Sequence, residues 1–201
     1  MTAEPVPQTH EPDEFGYTVA DLHALPDEGP RYELIDGSLV VSPSATPEHN
    51  LIAWWIAQIL TEANPSEDHL VTVDQSTSID DHNEPRPDIV VTNIGNLQRS
   101  RSPIADALLV AEVISPTSAL RDTEMKRALY ARAGVPAYWI IAPNREKPEI
   151  ALAELALDGG SYRYVTHYTT DVFRTDQPWP VEIDLPALSE RRGRLLRRAG
   201  S

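Results

Sequence analysis

The sequence predicts a mixed α/β (α+β) domain whose sheet is covered on both faces, in the order helix, three strands, helix, strand, with a β-hairpin added at each end. Three observations carry this. Leu108-Leu109-Val110-Ala111 is a continuous apolar run rather than an alternating one, as a strand buried on both faces requires. Leu51, Trp55 and Ile59 recur every four residues with Ile52, Ile56 and Leu60 beside them, which gives a broad apolar helix face. Asp36-Gly37 stands between the apolar runs Tyr32-Glu33-Leu34-Ile35 and Ser38-Leu39-Val40-Val41, a strong short-range hairpin signal.

The remaining elements follow in order. Residues 1–16 hold Pro5, Pro7 and Pro12 among polar and acidic residues without periodicity, and read as a flexible lead-in. Thr18 caps a short helix over 18–25, with Asp21 near the positive end of its dipole. Thr46 and Pro47 open the long helix, which runs to about residue 62. Strands are expected over 69–73, extending to Ile79 through an irregular piece, 88–92 and 108–114, and a second helix from 119 or 122 to 133, where Gly134 and Val135-Pro136 end it. Tyr138-Trp139-Ile140-Ile141 lies in a further apolar strand over 137–142. Residues 149–157 and 162–168 flank Asp158-Gly159-Gly160 and form the last hairpin. The folded unit spans 17–189 as a single domain, followed by an arginine-rich tail over 190–201. Trp54, Trp55, Tyr138 and Trp139 all fall in elements expected to be core.

Composition narrows the chemistry. The chain has 201 residues, 41% hydrophobic and 24% charged, enough to bury a core. It has no cysteine, which removes disulfides, thiolate zinc sites and cysteine nucleophiles together. No apolar run approaches the roughly 18 to 20 residues that span a bilayer. The first residues lack a basic start or an apolar core, so the expectation is a cytoplasmic protein with no membrane partner. Phosphate loops, dinucleotide-binding glycine patterns, nucleophile elbows and HExxH zinc pairs are all missing. The formal charge is −14, which argues against a generally basic nucleic-acid surface but leaves room for a local cationic groove.

Several polar residues sit where they cost free energy unless they have work to do. Asp88 follows Arg86-Pro87 at the start of an apolar strand; taken alone it also reads as a solvated strand-edge acid. Glu112 interrupts Leu109-Val110-Ala111-Glu112-Val113-Ile114, where a carboxylate is costly without a cation or hydrogen bonds, unless the strand is an edge. Two carboxylates on neighbouring strands can share Mg²⁺, which takes a few such oxygens plus several waters, with Mn²⁺ as a substitute. Asp122, Lys126 and Tyr130 share a helix face beside the apolar Met125 and Leu129. Lys126 is the candidate cation, the alternative being an exposed Asp122 to Lys126 pair worth roughly 0.3 to 0.5 kcal/mol.

This arrangement resembles the PD-(D/E)XK nuclease fold, and more closely the Uma-two family of restriction-endonuclease-like bacterial proteins. The matching segments are Tyr32-Glu33-Leu34-Ile35-Asp36-Gly37, Ser42-Pro43 with His49, Arg86-Pro87-Asp88, Ala111-Glu112-Val113-Ile114-Ser115-Pro116, Asp122 with Lys126, and the stretch from Tyr130 to Trp139. The resemblance implies a restriction-endonuclease-like core. It implies a metal-dependent endonuclease that hydrolyses phosphodiester bonds, with DNA preferred over RNA, and Asp88 and Glu112 as metal ligands. It also implies that Lys126 replaces the lysine usually found two residues after the strand Glu, a position held here by Ile114. Glu33 is a further acid for the site or a cross-strand partner. His49 is a phosphate or water contact or a packing histidine. A homodimer would bring two sites to two strands. The second reading is a catalytically inactive nuclease-fold module for binding or assembly. The tail Arg191-Arg192-Gly193-Arg194-Leu195-Leu196-Arg197-Arg198 faces either nucleic acid, an acidic partner surface or solvent.

Overall fold

The computed structural model describes residues 14–26, 28–42, 44–114 and 119–200. The first thirteen residues of the lead-in, Pro43, Ser115-Pro116 and the side chain of Asp122 lie outside the described residues. The chain runs α1 (Val19–His23), β1 (Arg31–Ile35), β2 (Ser38–Ser42), α2 (Pro47–Ala63), β3 (His69–Val73), β4 (Thr77–Ser78), β5 (Ile89–Asn93), β6 (Ser102–Pro103), β7 (Leu109–Val113) and α3 (Ala119–Arg132). It continues with β8 (Ala137–Pro143), β9 (Ile150–Asp158), β10 (Ser161–Thr169), β11 (Val172–Thr175), β12 (Val181–Asp184) and α4 (Leu185–Ala199).

Six strands form the central mixed sheet in the order β10-β9-β8-β7-β5-β3. β7 and β8 are parallel, with Glu112 opposite Ile140 and Val113 opposite Ile141, and the crossover between them is α3. The other neighbours are antiparallel. Every residue of β7 is buried, so Glu112 lies in the middle of the sheet and not on an edge.

Two cores explain why the sheet needs both covers. On one face Ile89, Leu109, Ala111, Trp139 and Ile141 meet Trp55, Ile56 and Leu60 of α2. On the other, Val90, Val110, Tyr138 and Leu155 meet Tyr130 and Ala131 of α3 and Tyr162 of β10. Each fully buried aliphatic or aromatic side chain here contributes about 1.5 to 3 kcal/mol of transfer free energy. Trp54 departs from expectation: it is 49% exposed, because the core stripe of α2 runs through Ile52, Trp55, Ile56 and Leu60 and turns its neighbour outward.

Local signals set the entry to each site-bearing element. Thr18 and Asp21 form a reciprocal capping box, and the Thr46 hydroxyl accepts from the His49 N–H with Pro47 in the first turn. Asp36 and Gly37 take φ of 46° and 70°, the paired positive values of a type I′ hairpin turn. Gly37 has a second constraint, since a Cβ there would collide with the Phe15 carbonyl.

Beyond residue 169 the sequence reading missed β11, β12 and α4. The arginine-rich segment is mostly helix: Leu185, Leu188, Ser189, Arg192 and Gly193 face inward while Arg194 to Gly200 are exposed. Arg192 is 5% exposed and fully engaged: Nε donates to Glu48 Oε1 at 2.8 Å, Nη1 to the Lys147 and Glu149 carbonyls at 2.9 and 3.1 Å, and Nη2 to the Asn144 carbonyl at 2.7 Å. It ties α4 to the β8–β9 loop and to the first turn of α2.

A buried acid lies away from this end of the sheet. Glu154 on β9 is 2% exposed and accepts from Thr175 Oγ1 at 2.6 Å, and burial raises its carboxyl above the ordinary range. A raised folded-state value stabilises at low pH and loses that contribution as pH rises through it. Glu154→Gln is therefore expected to melt above the wild type at pH 8, with the gap closing toward pH 4 in thermal scans. A constant gap across that range would contradict this.

Candidate active site

Six polar side chains from five segments meet at the end of the sheet where β7 stops and β5 begins. Glu33 arrives on the hairpin. The Leu34 N–H and C=O pair with the Glu84 backbone at 3.3 and 2.8 Å, which docks β1 against the segment preceding β5. Glu33 Oε2 then accepts from the Arg86 N–H at 3.0 Å, two residues before Asp88. Arg132 of α3 clasps Asp36 in the hairpin turn at 2.5 Å, fixing helix and hairpin together.

Lys126 fills the space between them. Its Nζ lies 2.9 Å from Glu33 Oε2 and 3.2 Å from Glu112 Oε1, with the lysine side chain 11% exposed. One turn on, the Tyr130 hydroxyl donates to Glu112 Oε1 at 2.9 Å. The helix face that carries Lys126 and Tyr130 therefore points at the strand carboxylate. The ammonium reaches Glu112 from α3, while Ile114 is partly buried against the α3-side core.

Asp88 and His49 complete the cluster. Asp88 Oδ2 accepts from the Val113 N–H at 2.7 Å, one residue past Glu112. His49, in the first turn of α2, places Nε2 at 2.9 Å from the Val113 carbonyl and 3.2 Å from Asp88 Oδ2. Its Nδ1 is buried, without a hydrogen bond of good geometry among the described residues.

The electrostatics follow from three carboxylates facing one ammonium. Burial pushes Glu112 up to about 8; Lys126 opposes the rise, Asp88 and Glu33 add to it, and the Tyr130 hydrogen bond opposes it. Burial by itself would lower Lys126, but Glu112 and then Glu33 outweigh it and hold the ammonium protonated well above its usual range. Burial would also lower His49, and the Asp88 hydrogen bond and charge overcome it, so the imidazole is raised. Burial and Glu112 together drive the Tyr130 hydroxyl far above its ordinary value, so it acts only as a neutral donor.

Tyr130→Phe isolates that donor. Leaving a buried carboxylate oxygen without its hydroxyl costs about 1 to 3 kcal/mol, and urea unfolding is expected to show a loss in this range. A change under about 0.5 kcal/mol, the level of an ordinary surface substitution, would show that Glu112 does not depend on it.

Among the described residues no group of three or more His, Cys, Asp or Glu side chains is arranged to hold a metal. The donor chemistry nonetheless fits a hard divalent ion. Mg²⁺ uses one or two carboxylates and fills its other positions with water, and Glu112 is raised first by burial and then by Asp88 and Glu33, all of which a bound cation would oppose. Tyr130 was visible in the sequence as a residue on the Lys126 face, but its bond to Glu112 was not; an (i, i+4) spacing gives the face and not its target. The backbone groups of Arg86 and Val113 carry no sequence signal.

A mixed sheet flanked by α2 and α3, with an acid before one strand, an acid inside the next and an ammonium from the crossover helix, defines a restriction-endonuclease-like domain. The chain matches the Uma2 family, described as "Putative restriction endonuclease", over residues 19–190, and belongs to that family. A crystal structure described as a putative nuclease belonging to DUF820, from Anabaena variabilis ATCC 29413, shares the fold with a TM-score of 0.67 at 16% identity. The match covers 87% of this chain and 98% of that one. No curated protein matches the sequence. Among the described residues no helix is long and apolar enough to cross a membrane.

Proposed function

We propose that this protein is a cytoplasmic, metal-dependent endonuclease that hydrolyses phosphodiester bonds in nucleic acid, with DNA as substrate and Mg²⁺ as the ion, Mn²⁺ substituting. The observation that carries the reading is the convergence of Asp88, Glu112 and Lys126, with Lys126 Nζ 3.2 Å from Glu112. A buried lysine threaded between two acids is costly as a purely structural device, since desolvating such ions consumes most of their mutual attraction.

In this reading Asp88 and Glu112 hold the ion. Held there, a divalent cation would supply Lewis-acid chemistry, polarising a phosphoryl oxygen and easing the deprotonation of water. Lys126 stays protonated and offers its charge where negative charge builds on the phosphoryl group. Glu33 holds the lysine from the opposite side to Glu112, and Tyr130 fixes the orientation of Glu112. His49 bears a proton on Nε2 that it can turn from the Val113 carbonyl and Asp88 to a phosphate oxygen. A homodimer would set two such sites against two strands.

Titration calorimetry with Mg²⁺ and Mn²⁺ tests the ligand assignment without relying on turnover. Wild-type protein is expected to bind the ions, and Asp88→Asn and Glu112→Gln are each expected to weaken binding at least about tenfold, or 1.4 kcal/mol. No heat from the wild type, or equal binding by the variants, overturns the assignment.

A further inference from the structure

We propose that the outer face of α4, with Arg194 and Arg197, and the facing β8–β9 loop, with Arg145 and Lys147, form a cationic surface that holds the phosphate backbone of nucleic acid beside the catalytic end of the sheet. The inference rests on the nuclease reading for its choice of partner and on three observations for its place.

The first is position. Val113, whose carbonyl and N–H meet His49 and Asp88, is in register with Ile141, and β8 ends two residues later at Pro143. The β8–β9 loop thus leaves the sheet at the same end as the site, beside the strand that carries Glu112, with α4 on the α2 face from which His49 reaches in.

The second is rigidity. Arg192 binds three carbonyls of that loop and Glu48, the residue before His49. Gly193 lets the helix press in further, since a Cβ there would stand 3.1 Å from Pro148 Cβ. The cationic residues are therefore mounted on the same braced unit as His49. Between α4 and the loop lies a cleft of about 340 Å³ lined by Arg194 and Arg197, with Glu149 and Glu190 also on its wall.

The third is charge. Through Glu190 the chain carries 12 basic residues against 31 acidic ones, and the five arginines of 191–198 follow in a single stretch. A polyanion approaching an acidic body is repelled except where cations are concentrated. Arg194 and Arg197 line the cleft, and Arg145 and Lys147 are exposed on the loop that Arg192 binds, on either side of the exposed Glu146. A second copy's acidic surface would satisfy the same charges, and the experiment separates the two.

Binding of a fluorescein-labelled 20-base-pair DNA duplex is followed by anisotropy in chelator across a KCl series, for the wild type, Arg194→Glu with Arg197→Glu, and Arg145→Glu with Lys147→Glu. Light scattering and thermal melting accompany each protein. The wild type is expected to bind with steep salt dependence. Each pair is expected to weaken binding at low salt by about tenfold or more and to flatten the log–log salt slope by about 2, at roughly 0.9 for each phosphate no longer neutralised. Two pairs on two elements keep the test informative should one variant fold poorly. Unchanged affinity and slope, or no salt-dependent binding by the wild type, overturns the proposal. So does a change confined to oligomeric mass, which would make this face a contact between copies. Binding as expected without any cleavage in Mg²⁺ or Mn²⁺ leaves the surface standing and removes the hydrolytic reading.

Discussion

Lys126→Met is expected to destabilise the fold by about 3 to 5 kcal/mol, because it takes the shared ammonium from two largely buried acids, leaving Glu33 without its ion-pair partner and Glu112 able to ionise only at greater cost. Glu33 and Glu112 are 8% and 10% exposed at their side chains, and Lys126 contacts both. Without the ammonium, Glu112 is left with the like charges of Asp88 and Glu33 as well as its burial, so its raised carboxyl rises further. Urea unfolding measures the loss. Adding Glu33→Gln and Glu112→Gln to Lys126→Met should recover much of it, since the triple variant buries no uncompensated charge. A Lys126→Met protein as stable as wild type would mean that the ammonium is not the counter-charge. A triple variant no better than the single one would place the loss in packing.

Glu112→Gln is expected to abolish hydrolysis, by about 10³-fold or more, while the protein stays folded. The size follows from the several kcal/mol a metal supplies to transition-state charge, at 1.36 kcal/mol per decade of rate. The side chain keeps its shape and its carbonyl oxygen can still accept from Tyr130, so the fold is largely spared. Lys126 retains Glu33 at 2.9 Å as its counter-ion. Near-wild-type rates in this variant would remove Glu112 from the reaction, and a lost circular-dichroism signal would turn the result into a folding defect.

Much of the fold was written in local patterns. The Asp36-Gly37 pair specifies a turn that only positive φ satisfies, and the run 108–114 specifies a strand without a wet face. The four-residue repeat of Leu51, Trp55 and Ile59 gave the long helix to within a residue at each end. It did not give the facing precisely enough to expose Trp54, because a broad apolar face leaves its own margin undefined. The C-terminal part was harder to read. Arg191 to Arg198 resembles a solvated charge run, yet Arg192 is buried because three backbone carbonyls and Glu48 surround its guanidinium, and those acceptors lie more than 40 residues away in sequence.

The cluster at the sheet end shows the same division. Glu112 advertised itself by being charged inside an apolar strand, and Lys126 and Tyr130 by sharing a face. That this face turns inward, and that the hairpin carries Glu33 to the far side of the ammonium, depends on the Leu34 to Glu84 backbone pairing and on the Arg132 clasp to Asp36. Neither has a periodic signature. The overall acidity, which spoke against nucleic acid at first, includes the carboxylates gathered at the site, and the arginines of 191–198 follow the acidic body in one stretch.

Incubating the purified wild-type protein with supercoiled plasmid, single-stranded DNA and RNA, in Mg²⁺, in Mn²⁺ and in chelator, alongside Asp88→Asn and Glu112→Gln, tests the hydrolytic reading most directly. The expected result is cleavage of DNA that needs the metal and disappears in both variants. No cleavage of any polymer under any metal, or cleavage that survives in either variant, would contradict it.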